Sequence, residues 1–222
     1  MRNRGLGVTI IAALSLGFAG AGAAEDARPR HLIYLHGRIV QEQQSARPRH
    51  PQHGYYELDQ ILRAFRDRGF VVSGEMRPRS VSVVDSADQL VAQLRKLLAS
   101  GVPADRITVV GASMGGGIAL LASARLQSPD VRFCILGACL SEGLARLVSH
   151  EGKNPTGRIL AIRESSDDTT SECPPWKDDP AAGKALVVRE LVLDTGLKHG
   201  FLYRPLPAWV DPVAEWAKGG EK

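Results

Sequence analysis

The sequence feature that most constrains the fold is the segment ITVVGASMGGG over residues 107–117. Its first four residues are β-branched, which is typical of a strand buried on both faces of a sheet. The pattern G-x-S-x-G follows from Gly111 to Gly115. Where a strand turns sharply into a helix, a Cβ at either flank would collide with the backbone. The residue between, Ser113, is therefore expected in a strained conformation with its hydroxyl exposed at the end of the sheet.

Two phosphate-binding interpretations of this glycine-rich segment fail on its residues. A P-loop needs Lys and then Ser or Thr after its second glycine, whereas Gly116 is followed by Gly117 and Ile118. The dinucleotide pattern G-x-G-x-x-G needs a glycine where Ser113 stands. The alternative that stays open is a strand–helix turn without chemistry.

The rest of the chain alternates between strand and helix patterns. Strands are predicted over residues 31–37, 70–73, 107–110, 131–137, 158–162 and 186–193. Helices are predicted over residues 55–68, from Asp85 or Ser86 to about residue 100, from the G-x-S-x-G turn to about Gln127, and over residues 142–149 and 205–218. This alternation predicts an α/β fold with a doubly wound, mostly parallel six-stranded sheet and helices on both faces.

The first 24 residues have the pattern of a signal peptide. Arg2 and Arg4 precede an apolar run over residues 6–18, and small residues follow up to Ala24. Cleavage is expected after Ala23 or Ala24, which makes the protein secreted or periplasmic. The apolar run is shorter than the ~20 residues of a membrane span, which disfavours the alternative of an uncleaved anchor. Residues 25–222 are expected to form a single domain.

Charge and composition argue against several classes of partner. The chain has 28 Lys and Arg against 24 Asp and Glu, and loss of the two leader arginines leaves 26 against 24. This near balance gives no argument for a nucleic-acid partner. No second long apolar segment follows the leader, so no membrane span is predicted. His50 and His53 could chelate a metal, but no third ligand is evident, so no metal and no cofactor is predicted.

Residues able to carry chemistry lie at or after the ends of four predicted strands. They are His36 and Gly37 at the end of the first strand, Ser113 after the 107–110 strand, Asp167 and Asp168 after the 158–162 strand, and His199 after the last. Active sites of parallel sheets form beyond the carboxyl ends of the strands. The sequence therefore predicts a serine, an acid and a histidine at one edge of the sheet, in that chain order.

These motifs resemble the α/β-hydrolase family. The Gly111–Gly115 pattern, the His36-Gly37 pair and the late Lys198-His199-Gly200 match in order, and the resemblance covers nearly all of residues 31–218. Its implied roles are Ser113 as nucleophile, His199 as general base and Asp167 as orienting acid, with Asp168 as a rival for the acid. Asp194 lies nearer to His199 along the chain, but the family order argues against it.

The resemblance also implies a reaction. A serine hydroxyl needs a base to accept its proton, and the developing oxyanion needs two fixed N–H donors. The family assigns these donors to the backbones of Met114 and Arg38. The implied function is a serine hydrolase that cleaves a small-molecule ester through an acyl-enzyme. The stretch between residues 140 and 158, where many relatives insert a lid, is short. A peptidase or amidase, or a catalytically silent binding protein, are the alternatives.

A group of arginines suggests the charge of the substrate. Arg77 and Arg79, together with Arg38, Arg47 and Arg49, lie on two loops that leave strand carboxyl ends. One hypothesis is that these arginines, with Arg77 and Arg79 as substrate-binding residues at the mouth of the site, select an anionic ester, since fixed positive charge attracts and binds anions. The other interpretation, which the sequence favours, is a solvated basic rim.

One disulfide is expected, between Cys139 and Cys173. The leader sends the chain to a compartment where disulfides persist. In the resembled fold the loops that carry these two residues lie side by side, close enough for a bridge that would pin the acid loop. Cys134 lies within a predicted strand and is expected to be a buried free thiol. Three free thiols are the alternative.

Overall fold

The structure is a computed structural model and describes residues 28–138, 146, 148, 150–169 and 186–220. The predicted leader over residues 1–24, both members of the predicted disulfide, Cys139 and Cys173, and most of the helix predicted over residues 142–149 lie outside these residues. Those predictions therefore stay predictions.

The described chain alternates between strands and helices as the sequence pattern indicates. The strands are β1 (Arg30–Leu35), β2 (Arg49–His50), β3 (Gly54–Tyr55), β4 (Phe70–Ser73), β5 (Ile107–Ala112), β6 (Arg132–Leu136), β7 (Gly157–Glu164) and β8 (Leu186–Leu193). The α-helices are α1 (Arg38–Gln43), α2 (Leu58–Arg66), α3 (Val83–Ala99), α4 (Met114–Leu126) and α5 (Pro207–Ala217). Short 3₁₀ helices cover Ala104–Arg106 and Lys198–Tyr203.

Six strands form one parallel sheet in the order β4-β1-β5-β6-β7-β8. The chain places β4 on one side of β1 and then crosses to place β5 on the other. Strand order therefore reverses between β1 and β5, and in parallel sheets ligand sites form at the carboxyl edge next to such a reversal. The register pairs Leu35 of β1 with Gly111 of β5, so the segments that follow both strands emerge next to each other.

Helices cover both faces of the sheet, which confirms the predicted doubly wound α/β fold. On one face, α2 and α5 pack on strand residues such as Tyr34 and Leu136, and Trp209 is fully buried there. On the other face, α3 and α4 pack on residues such as Val109 and Phe133. The buried position of Cys134 in β6 is also as predicted, and burial raises the pKa of its thiol.

The segment after β1 is more regular than the sequence pattern indicates, since neither a strand nor a helix is predicted between residues 37 and 55. It contains α1 and a small antiparallel hairpin in which Arg49 pairs with Tyr55 and His50 with Gly54. Because Tyr55 belongs to this hairpin, helix α2 begins at Leu58 and not at residue 55. In the described ranges, no helix combines the length and the apolar character needed to cross a bilayer.

Candidate active site

Ser113 occupies the sharp turn between β5 and α4. Its backbone has φ 52° and ψ −119°, a conformation that residues other than glycine rarely adopt. A Cβ on Gly111 would overlap the carbonyl group of Gly115, and a Cβ on Gly115 would overlap the carbonyl group of Leu35 in β1. The two glycines are therefore required by close backbone packing, as the sequence pattern indicates. This packing fixes the Ser113 hydroxyl at the carboxyl edge of the sheet.

Three side chains from three strand ends meet at this edge. The Nε2 atom of His199 lies 2.9 Å from the Oγ of Ser113. The Nδ1 atom of the same ring lies 2.6 Å from the Oδ2 of Asp167. His199 is supplied by the 3₁₀ helix after β8, and Asp167 by the turn after β7. The structure thus brings together the three residues that the sequence placed in the order Ser, Asp, His.

The environment of Asp167 decides where the proton of His199 lies. Burial opposes ionisation of the carboxyl group, but hydrogen bonds from His199 and Thr169 outweigh it and lower the pKa of Asp167. An ionised carboxylate only accepts hydrogen bonds, so the Nδ1 of His199 donates to it. The Nε2 atom of the neutral ring is then the acceptor for the Ser113 hydroxyl, which is the tautomer that proton transfer from serine requires.

The rival acids lie elsewhere. The side chain of Asp168 is 78% exposed, and its Oδ2 lies 3.8 Å from the Nζ of Lys198. Asp194 accepts a hydrogen bond from the Ser165 hydroxyl at 3.1 Å. The side chain of Asp167, in contrast, is fully buried beside the histidine.

Thr169 also belongs to this site, although the sequence analysis did not single it out. Its backbone N–H and its hydroxyl both donate to the Oδ1 of Asp167, at 3.0 and 2.6 Å. Its Oγ1 also lies 3.1 Å from the Nδ1 of His199. An N–H that bonds to an aspartate two residues earlier is an Asx-turn. The sequence Asp167-Asp168-Thr169 therefore contained a local signal that favoured the first aspartate as the one held in place.

The two predicted oxyanion donors, the amides of Arg38 and Met114, begin helices α1 and α4. The first N–H groups of a helix have no acceptor within that helix. The Cβ position of Gly37 lies 3.6 Å from the Cβ of Ser113, so the segment that leads into Arg38 runs beside the serine. Both amides thus lie in segments next to the Ser113 side chain.

A buried histidine holds the segment that carries the Arg38 amide. Burial, and then the charge of Arg77, lower the pKa of His36 to about 4, so its ring is neutral. Its Nε2 accepts from the backbone N–H of Arg77 at 3.0 Å, and its Nδ1 donates to the Gly37 carbonyl at 2.9 Å. Across a trans peptide bond the carbonyl and the next N–H point in opposite directions. By fixing the carbonyl of Gly37, the ring fixes the direction of the Arg38 amide.

The arginines expected at the mouth are engaged in contacts with the protein itself. Arg77 is 8% exposed, and its guanidinium donates to the His36 carbonyl and to the Gln41 amide oxygen. This placement differs from the expectation that Arg77 lies at the mouth of the site, because its guanidinium is buried against His36 and Gln41. Arg79 is exposed and donates to the Glu42 carbonyl, and Arg47 forms an ion pair with Glu57 at 2.9 Å.

The β2–β3 hairpin packs against the His199 segment. The rings of His50 and His53 stack with centroids 4.5 Å apart, and His53 packs closely on Gly200, the residue after His199. Burial, and then the neighbouring His50, lower the pKa of His53. Over the ranges that the structure describes, no three His, Cys, Asp or Glu side chains are grouped so that they could hold a metal ion.

Comparisons with known proteins identify the fold. No protein-family model and no curated protein matches this sequence. Among solved structures, the chain is similar to MGS-M1, an α/β hydrolase enzyme from a Medee basin deep-sea metagenome library. They share 13% identity and a TM-score of 0.56, with 90% of this chain and 88% of that chain covered. It is also similar to Est1E from Butyrivibrio proteoclasticus, with 14% identity, a TM-score of 0.54 and coverage of 87% and 88%.

A hyperthermophilic esterase from the archaeon Pyrobaculum calidifontis is a third similar structure. It is 17% identical, with a TM-score of 0.52, and the alignment covers 87% of this chain and 76% of that one. Likeness at such low identity establishes the fold and no more. The chain therefore has the α/β-hydrolase fold, in agreement with the resemblance seen in its motifs.

Proposed function

We propose that the protein is a serine hydrolase that cleaves an ester through an acyl-enzyme, with Ser113 as nucleophile, His199 as general base and Asp167 as orienting acid. The observation that carries this proposal is the pair of hydrogen bonds made by His199, 2.9 Å to the Ser113 oxygen and 2.6 Å to the Asp167 oxygen. A nucleophile within reach of its base, with the base oriented by a third group, is the arrangement that acyl transfer requires.

In the first half of the reaction, the Nε2 of His199 accepts the Ser113 proton while Oγ attacks the ester carbonyl carbon. The carbonyl oxygen becomes an oxyanion. The protonated ring is stabilised by the Asp167 carboxylate, and it then gives the same proton to the alcohol oxygen as the bond between that oxygen and the acyl carbon breaks. The alcohol leaves, and the acyl group stays as an ester on Ser113.

In the second half, water takes the place of the alcohol. His199 accepts a proton from the water as its oxygen attacks the acyl-enzyme, and it returns that proton to Ser113 when the carboxylic acid departs. Both tetrahedral intermediates carry an oxyanion, and we assign its two donors to the amides of Met114 and Arg38. Fixed donors aimed at this oxygen stabilise the transition state without reorganisation, and each contributes on the order of 3 kcal/mol.

An ester is the substrate class that we favour. Support comes from the similar structures, since the protein from Pyrobaculum calidifontis is described as an esterase and another structure holds ferulic acid bound to Est1E. The short stretch between residues 140 and 158 favours a small ester over a long acyl chain, because no long lid segment is available there to cover one.

The test is labelling with a fluorophosphonate probe, combined with a panel of chromogenic esters and amides. It is run on the wild type, on Ser113→Ala and on Ser100→Ala. Ser100 is an exposed serine that caps the C-terminus of α3, and its hydroxyl donates to the Leu97 carbonyl at 2.7 Å. We expect labelling and ester turnover in the wild type and the control, and loss of both in Ser113→Ala.

Three other outcomes would contradict the proposal. Labelling of Ser113→Ala at the wild-type rate would show that another residue is the nucleophile. Faster turnover of amides than of matched esters would favour a peptidase or amidase. A folded wild type that neither reacts with the probe nor turns over any ester would indicate a catalytically silent binding protein.

A further inference from the structure

We propose that Glu164 is a positioning residue that holds the Asp167 and His199 loops in register with each other; this inference rests on the proposed hydrolase function. Glu164 is the last residue of β7, and it is a charged residue only 1% exposed. It lies three residues before Asp167. Its side chain touches none of the reacting atoms, so any effect on the reaction acts through other residues.

The carboxylate of Glu164 binds the segment that leads to His199. The Thr195 N–H lies 3.1 and 3.0 Å from its two oxygens, and the Thr195 hydroxyl donates to Oε2 at 2.7 Å. The Gly196 N–H donates to Oε1 at 3.2 Å. Three donors from two consecutive residues therefore converge on one side chain. They fix the chain at the point where it leaves β8 and turns toward His199.

The same carboxylate also binds the segment that carries Asp167. The Ser166 hydroxyl donates to the Oε1 of Glu164 at 3.1 Å. The oxygen of that hydroxyl in turn accepts from the Lys198 N–H at 3.1 Å. Ser166, the residue before Asp167, thus bonds both to Glu164 and to Lys198, the residue before His199. The two loops are joined here by side chains, beyond the point where the sheet ladder ends.

Sheet pairing alone would not fix these loops. The ladder between β7 and β8 ends at the pair Glu164 and Leu193, and the Ser165 N–H adds one bond to the Leu193 carbonyl at 2.8 Å. Past this point, the described polar contacts between the two segments include two exposed pairs, Ser165 with Asp194 and Asp168 with Lys198. The others are the contacts of His199 with Asp167 and Thr169 and the bonds of Glu164 and Ser166. The largest number of donors converges on the Glu164 carboxylate. The relative position of the acid and the base therefore depends on the Glu164 carboxylate.

The donors require the charged form of Glu164. Burial opposes its ionisation, but hydrogen bonds from Thr195, Ser166 and Gly196 outweigh burial and lower the pKa of the carboxyl group. A glutamine has nearly the same shape, but its NH₂ group would face at least one of these donors. Glu164→Gln therefore removes bonds without removing volume, and it loosens the loops without creating a cavity.

The consequence for catalysis follows from the short distances in the site. A misplacement of about 1 Å in a reacting group can cost on the order of 10²-fold in rate. We expect Glu164→Gln to lower kcat by about 10- to 100-fold, with KM changed by less than about threefold, because the variant perturbs the reacting groups and not the substrate contacts.

The experiment compares Glu164→Gln and Ser166→Ala with the control Glu190→Gln. Glu190 lies on β8 and pairs with Arg163 at 2.8 Å, within the β7–β8 ladder and before the point where both loops begin. End-point titration with a fluorophosphonate counts the competent sites, and kcat is expressed per labelled site. We expect wild-type kcat per site in Glu190→Gln, and lower values in Ser166→Ala and, more strongly, in Glu164→Gln.

A merely structural role gives a different result. It would lower the number of labelled sites and the melting temperature, but each labelled site would keep the wild-type kcat, and that outcome would overturn the inference. Ser166→Ala supplies the answer if Glu164→Gln does not fold. Failure of the proposed function is distinguishable, because ester turnover would then be absent from the wild type or would persist in Ser113→Ala.

Discussion

The substitution Asp167→Asn tests the assignment of the acid most directly. The Oδ1 atom of Asp167 accepts from both the backbone N–H and the hydroxyl of Thr169, while Oδ2 accepts from the Nδ1 of His199. An asparagine in the same place can keep its oxygen at only one of these positions. Since two donors of Thr169 face one position, the carbonyl oxygen will stay there, and the NH₂ group will face His199.

This orientation of the asparagine reverses the tautomer of the His199 ring. An NH₂ group facing Nδ1 requires Nδ1 to accept, so the single proton of the neutral ring moves to Nε2. The Nε2 atom then faces the Ser113 hydroxyl as a donor and cannot take its proton. The expected loss in kcat is about 10⁴-fold, equivalent to about 5 kcal/mol of transition-state stabilisation.

Asp168→Asn is the matched control, because it makes the same chemical change one residue further along. Its carboxylate is mostly exposed, and its one described ion pair, with the exposed side chain of Lys198, is 3.8 Å long, so we expect kcat within about twofold of the wild type. The assay is kcat on a chromogenic ester, with thermal melting to show that both variants are folded. A larger loss in Asp168→Asn, or less than a tenfold loss in folded Asp167→Asn, would refute the reasoning.

Three further predictions follow from the buried histidine, the processing of the chain and the rim. The pKa of His36 is about 4 in the folded protein and 6.5 ordinarily, so as the pH falls the unfolded chain takes up this proton before the folded chain does. The contribution of His36 to the free energy of unfolding should therefore be complete above pH 6.5 and should fall by about 3 kcal/mol toward pH 4. Chemical denaturation of His36→Gln should show a flatter pH dependence than that of the wild type. Mass analysis of the exported, alkylated and unreduced protein should give a chain that begins after Ala23 or Ala24 with one alkylated cysteine, Cys134, whereas three alkylated cysteines would exclude the bridge between Cys139 and Cys173. Because Arg47, Arg77 and Arg79 already bind protein groups, kcat/KM for anionic and neutral esters of matched size should agree within about threefold at low salt, and a strong preference for the anion would restore the predicted role of Arg77 and Arg79.

The sequence was sufficient wherever local sterics and periodicity act alone. The β-branched run before Gly111 and the small residues around Ser113 indicated the strand, the turn and the helix, because a close approach of backbones excludes larger side chains. The alternation of strands and helices indicated a parallel sheet with helices packed on both faces. Local patterns did not locate the start of α2, since pairing of Tyr55 with Arg49 competes with the helix there.

The site required more than local patterns. Chain order favoured Asp167, but only the packed structure separates a fully buried carboxylate beside His199 from an exposed one a single residue away. The sequence also placed Arg77 at the mouth, because an arginine on a loop is ordinarily solvated. In the folded chain its guanidinium satisfies the carbonyl of His36 instead.

Glu164 shows the physical reason for this difference. Nothing in its neighbours along the chain distinguishes it from any charged residue at the end of a strand. Its role emerges from donors on Thr195 and Gly196, more than thirty residues away, which reach it only after β7 and β8 are paired in register. Sterics of adjacent residues are encoded locally, whereas burial and the convergence of hydrogen-bond donors arise only when distant segments pack together.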